Sequence, residues 1–158
     1  MTVEANVRRL RLTLPKMPRP LGDYVPAVEA GNLLFVSGML PIEDGTAAFV
    51  GRVGQELTIE SGRRAAQLAV ANALAVARDV VGLNRLAGVA RLAMHVACTA
   101  DFHEHAVIAD AASELLNHVF EGGRHSRLAF GNSSLPGGMP VELELIFLLH
   151  PKERSDTP

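Results

Sequence analysis

The stretch "GRHSRLAFGNSSLPGGMPVELELIF", residues 123–147, decides how this chain folds. From Val141 onward, Val141, Leu143, Leu145, Phe147 and Leu149 alternate with Glu142, Glu144, Ile146 and Leu148. A period of two belongs to an extended strand, which sends successive side chains to opposite faces of a sheet. The first set is uniformly apolar and calls for a cover of helices. The second mixes carboxylates with Ile and Leu, a composition suited to a subunit interface with a polar site at its edge. The preceding run, "RLAFGNSS" (127–134), reads as another strand and carries Arg127. A hairpin through residues 135–140 is expected to bring Arg127 beside Glu142. The plain reading of such a pair is a cross-strand ion pair worth ~0.2–1 kcal/mol. The functional reading is a guanidinium and a carboxylate facing one ligand.

Upstream of this stretch the pattern changes period. Between Thr58 and Val81, the residues Ile59, Ala66, Ala69, Val70, Ala73, Leu74, Ala77, Val80 and Val81 recur three or four apart, the stripe of an amphipathic helix capped by Gly82. Its alanines let the helix axis lie close to a sheet. A second helix is expected over Phe102, Val107, Ile108, Ala111, Leu115, Leu116 and Val119. Asp101 and Glu104 would form its capping box, and Gly122-Gly123 would close it. Strands are expected at 7–14, where Leu10, Leu12 and Leu14 alternate with Arg9, Arg11 and Thr13, at 32–40, after the Asp44-Gly45 turn, and within 85–98. The resulting order, β-β-β-α-β-α-β-β, predicts an α+β domain with two helices on one face of a mixed sheet. Residues 1–19 form a strand and Pro-rich lead-in, 20–150 the domain, and 151–158 a polar, frayed tail.

Composition sets the outer limits. The 158 residues are 48% hydrophobic and 20% charged, enough for one compact domain with its own core. A formal net charge of −2 supplies no general attraction to nucleic acid, and with aromatics at 4% there are few platforms for base stacking. The three arginines of "VRRLRL" read as a solvated strand face, so nucleic acid is not an expected partner. Cys98 is the single cysteine, which excludes a disulfide framework and fits a reducing, cytoplasmic setting. No apolar run approaches the ~20 residues that span a bilayer, and residues 1–20 lack an apolar export segment, so neither a membrane nor an exported setting is expected. His103 and His105 stand two apart and do not share a helix face with each other, so a metal site is not expected. They read as exposed helix histidines, with His118 beside them. Cys98 reads as a small buried thiol at a strand end.

Three segments together resemble the RidA/YjgF family. Arg127 precedes Leu135-Pro136 by eight residues, and Val141-Glu142-Leu143-Glu144 follows. "LGDYVPAVEAGNLLFVSGMLP" (21–41) resembles the family's Gly-x-Tyr segment leading into a strand that ends Ser-Gly-x-x-Pro, and "VACTADF" (96–102) resembles its strand exit before the second helix. The resemblance implies a chorismate-mutase-like fold assembled as a homotrimer, with ligand clefts between subunits. It implies hydrolysis of reactive enamine and imine intermediates to 2-keto acids and ammonia, without metal or other cofactor.

In that reading Arg127 grips the substrate carboxylate through its planar fork. Glu142 positions and deprotonates the attacking water. Tyr24 closes the cleft, Ser37 and Gly38 line it, and Phe102 supplies an apolar wall. Two departures cut against it: Ala100 stands where relatives carry a polar Asn, and Ala129 where a Cys is common. They leave a second reading open, a non-catalytic module that binds a small carboxylate or acts as a chaperone.

Overall fold

The structure, a computed structural model, describes residues 1–152; the expected tail beyond residue 152 lies outside the described residues. Chain order is α1 (Val3–Arg9), β1 (Ala27–Ala30), β2 (Leu33–Met39), β3 (Ile42–Glu43), β4 (Thr46–Ala47), α2 (Ile59–Val80), β5 (Leu86–Ala97), α3 (His105–Val119), β6 (Ser126–Asn132) and β7 (Val141–Leu149). Five strands form one sheet in the order β1-β2-β7-β5-β6, and β3 with β4 makes a small separate hairpin around Asp44 and Gly45.

Strand β7 behaves as its alternation dictates. Val141, Leu143, Leu145, Phe147 and Leu149 are buried beneath the helices, while the residues between them are half-buried or exposed. Helix α2 begins at the cap Thr58, whose hydroxyl accepts from the Ser61 amide 3.1 Å away. It presents the fully buried Ala65, Ala66, Ala69, Val70, Ala73 and Leu74 to the core. The helix closes where the Gly82 amide returns to the Ala77 carbonyl at 3.0 Å, with Gly82 at φ 84°. Helices α2 and α3 are clamped by Arg63, which donates to the Val107 carbonyl at 2.6 Å and to Glu114 at 2.9 Å.

Three expectations are corrected. Residues 3–9 form a helix where a strand over 7–14 was expected. Thr2 caps it by accepting from the Ala5 amide, Glu4 and Arg8 pair one turn apart, and Val3, Asn6 and Val7 are buried on one face. The buried Asn6 amide donates to the Val119 carbonyl at 3.0 Å, docking α1 on α3, so three helices and not two pack against the sheet. The alternating Leu10, Leu12 and Leu14 run past the helix end, where Arg11 adopts φ 52°, and pack on the core as irregular chain.

The capping box does not form either. Helix α3 starts at His105 without a side-chain cap, because Asp101 turns to Thr99 instead. Finally, no hairpin joins β6 to β7. Strand β6 pairs in parallel with β5, and β7 lies on the other side of β5, so Arg127 is opposite Leu92 while Glu142 is opposite His95. Helix α3 is the crossover that parallel pairing requires.

Candidate functional site

The site around Glu142 is made by an irregularity in β2. Its pairing with β7 slips between Val36 and Met39, leaving one extra residue on β2. This bulge turns Gly38 toward Glu142 so closely that a Cβ there would overlap Glu142 Oε1 and come within 3.0 Å of Cδ. Gly38 is therefore the space in which the carboxylate sits. Ser37 holds the bulge: its amide donates to the Pro26 carbonyl at 2.9 Å and its hydroxyl to the Val25 carbonyl at 2.8 Å. Ser37 thus serves the backbone of the preceding loop.

Glu142 and Gly38 line a cavity of about 250 Å³ with Tyr24, Arg19, Leu21 and Pro136 among the walls. The Tyr24 hydroxyl accepts from the Leu21 amide at 3.2 Å, folding the Pro-rich segment over the cavity. Burial pushes the Glu142 carboxyl above the usual carboxylate range, and the charge of His95 opposes that shift in part. A carboxyl shifted this way in a small, mainly apolar cavity has the character of a proton acceptor. His95 stands opposite Glu142 in register, bonds Asn132 through Nδ1 at 3.2 Å, and meets the Phe130 ring edge-on at 4.4 Å.

Two of the expected site residues lie elsewhere in the protomer. Arg127 faces the helix side of edge strand β6, where it donates to Asp110 Oδ1 at 2.7 Å and to the Ser113 hydroxyl at 3.1 Å. Phe102 lines a second cavity of about 420 Å³, with Arg52, Cys98, Ala100, His105 and Gly131. Tyr24, Gly38 and Glu142 are thus brought together and Ser37 supports them, whereas Arg127 sits on the helix side near the start of β6 and Phe102 lies in the separate cavity at the exit of β5. Arg19 was missed by sequence reasoning because it lies in the Pro-rich lead-in, whose path over the cavity no local periodicity records. His95 was legible as a polar residue in a buried strand, but its partner was not. Among the described residues no group of three or more His, Cys, Asp or Glu is arranged to hold a metal, and no helix is long and apolar enough to cross a membrane.

A mixed sheet backed by helices is the architecture of the YjgF/chorismate-mutase-like proteins. The chain belongs to that family, which also takes in the RidA and L-PSP-like proteins: the family described as "YjgF/chorismate_mutase-like, putative endoribonuclease" matches residues 4–150. Protein TCP17 of Trypanosoma cruzi is 35% identical over 151 residues, 94% of either chain. The Agrobacterium tumefaciens protein Atu1372, of unknown function, superposes with a TM-score of 0.85 at 36% identity, covering 94% of this chain and 92% of that one. Escherichia coli TdcF, solved with bound serine, shares the fold at a TM-score of 0.64 and 19% identity, covering 85% of this chain and 94% of its own.

Proposed function

We propose that this protein hydrolyses small enamine or imine intermediates bearing a carboxylate, with Glu142 as the base. The observation that carries this reading is the Glu142 carboxyl, seated against Gly38 in a small cavity and held above its ordinary pKa by burial. An enamine first tautomerises to the imine. Glu142 then takes a proton from water as its oxygen attacks the imine carbon, and the resulting carbinolamine expels ammonia and leaves the 2-keto acid. The imine is already electrophilic, so the protein need only orient it and activate water. That a family protein, TdcF, binds serine supports a ligand of amino-acid size.

The site is completed by a second copy of the chain. Neither Arg127 nor Phe102 lines the Glu142 cavity within one chain, yet the uncovered sheet face carries Val28, Phe35, Leu128 and Leu148 at 53%, 41%, 45% and 37% exposure. Burying that face between three copies removes the apolar surface from water, and Arg127, on edge strand β6, would reach the Glu142 cavity of the next copy by leaving Asp110 on the helix side. Arg19, already in the cavity wall, is the alternative cation for the substrate carboxylate.

The test generates imines in situ from a panel of amino acids with an amino-acid oxidase and follows keto-acid release with and without the protein. Acceleration that disappears in Glu142→Gln is the expected result. No acceleration with any member of the panel would leave the second reading, a small-carboxylate-binding or chaperone-like module. The ion pair that holds Arg127 on Asp110, with Ala100 and Ala129, favours that reading.

A further inference from the structure

The cavity lined by Phe102 contains a nucleophile and a base that the hydrolytic reading does not use. Cys98 Sγ lies 3.4 Å from His105 Nε2, although the two residues come from different elements, the exit of β5 and the first position of α3. Gly131 on β6 makes the meeting possible, because a Cβ there would stand 2.6 Å from Nε2 and 2.8 Å from Sγ. The backbone around the thiol is pinned on both sides. The Cys98 amide donates to the Asn132 carbonyl at 3.1 Å, and Val53 bonds Ala97 at 2.9 Å and Thr99 at 3.2 Å.

The thiol is only 7% exposed, yet it forms part of the wall of a cavity that also presents Arg52, Asn132 and Ser133. Burial keeps the thiol protonated by raising it above its usual range. Its reactivity therefore depends on a base at contact distance, which His105 provides when Nε2 is the unprotonated nitrogen. Arg52 supplies a cation in the cavity wall.

We propose that Cys98 and His105 form a second reactive site, which adds the thiol to small anionic α,β-unsaturated carbonyl compounds. The bond from Sγ to the β-carbon forms as the C=C π pair moves toward the carbonyl oxygen. The thiol proton passes to His105 Nε2 and from there to the α-carbon, closing the product as a thioether with no other reactant. The site is independent of imine hydrolysis and stands or falls separately from it.

Cys98 is the only cysteine in the chain, so each addition is a single mass increment on the intact protein. The folded protein is treated with N-ethylmaleimide at neutral pH, and in parallel with iodoacetate and iodoacetamide. The expected result is labelling of Cys98 at least tenfold faster than an unstructured cysteine peptide under the same conditions, with iodoacetate favoured over iodoacetamide relative to that peptide. Arg52→Gln should remove the preference. His105→Asn keeps a polar side chain but not the base and should slow labelling at least tenfold. Gly131→Ala should do the same by prising the pair apart. His105 and His103 from α3 and its approach, with Arg52, are the titratable or charged groups sharing the cavity with the thiol. Labelling no faster than the peptide, or a rate unchanged in a folded His105→Asn, would overturn the proposal. The wild-type comparison decides it even where a variant fails to fold.

Discussion

The two faces of β7 come from one nine-residue strand and have opposite fates. The inner face, Val141 through Leu149 in alternate positions, is sealed by α2 and α3 within the single chain. The outer face places Glu142 and Glu144 among Ile146 and Leu148, next to Phe35 and His95 from neighbouring strands, and among the described residues no helix covers it. The inner face encodes stability and needs only this chain. The outer face carries the proposed site, and in that proposal its apolar residues pack against a second copy.

The largest expected effect lies on the outer face. Glu142→Gln should cut imine hydrolysis by ~10²–10⁴-fold while the fold and ligand affinity persist, which is the signature of a lost base. Steady-state keto-acid assays alongside ligand titration read both quantities. An equally fast Glu142→Gln would end the assignment of the base. The matching test on the inner face is Leu143→Ala. Leu143 is fully buried, so the substitution should cost about 2–5 kcal/mol by urea unfolding. A much smaller loss would mean that the inner face is less tightly packed than its burial indicates.

Next comes the assembly. The wild type should have three times the chain mass in light scattering. Leu128→Asp, which puts a charge on an exposed apolar position of edge strand β6, should weaken that association tenfold or more, about 1.4 kcal/mol, while leaving the protomer folded. A monomeric wild type would remove the second copy from the cleft and Arg127 with it. In that case Arg19→Ala, not Arg127→Ala, should raise KM for a carboxylate substrate.

The smallest effects concern charge. Asp110→Ala breaks a partly exposed ion pair and should change stability by about 1 kcal/mol or less, yet it releases Arg127 and so separates its structural bond from any role in binding. For Glu142, the folded carboxyl holds its proton more tightly than the unfolded one. As pH rises from the ordinary glutamate range through its raised value, the folded state must ionise a buried group, and stability falls. Glu142→Gln should therefore be more stable than wild type at neutral pH, with the gap closing in acid, as thermal melts across pH would record. Turnover should move the other way, rising with pH as the base ionises, along an acid limb displaced above the normal carboxylate range.

Much of this molecule was legible before any coordinates. The alternation of β7 assigned each of its residues to a face, and the alanine stripe with Thr58 and Gly82 marked α2 nearly to its ends, because periodicity and capping are local properties. Helix α1 was also within reach: Thr2, the Glu4–Arg8 pair and the spacing of Val3, Asn6 and Val7 are helix signals, overshadowed by the Leu10, Leu12 and Leu14 alternation beyond them. The position of Arg127 is a different matter. A 15-residue helix between β5 and β6 signals a parallel crossover, but a short connection from β6 to β7 resembles a hairpin. Which edge of β5 each strand takes is settled by the packing of the whole sheet.

The sequence by itself determined the two faces of β7, the long helix, the family and the carboxylate at the head of β7. Tertiary structure alone decided that Gly38 makes room for Glu142, that Arg127 turns to Asp110, and that Cys98 meets His105 across Gly131. The physical reason is range: a repeat of two or 3.6 residues is written in neighbours along the chain, whereas a strand order, a bulge or a thiol–imidazole contact depends on segments far apart in sequence, which only the packed core brings within bonding distance.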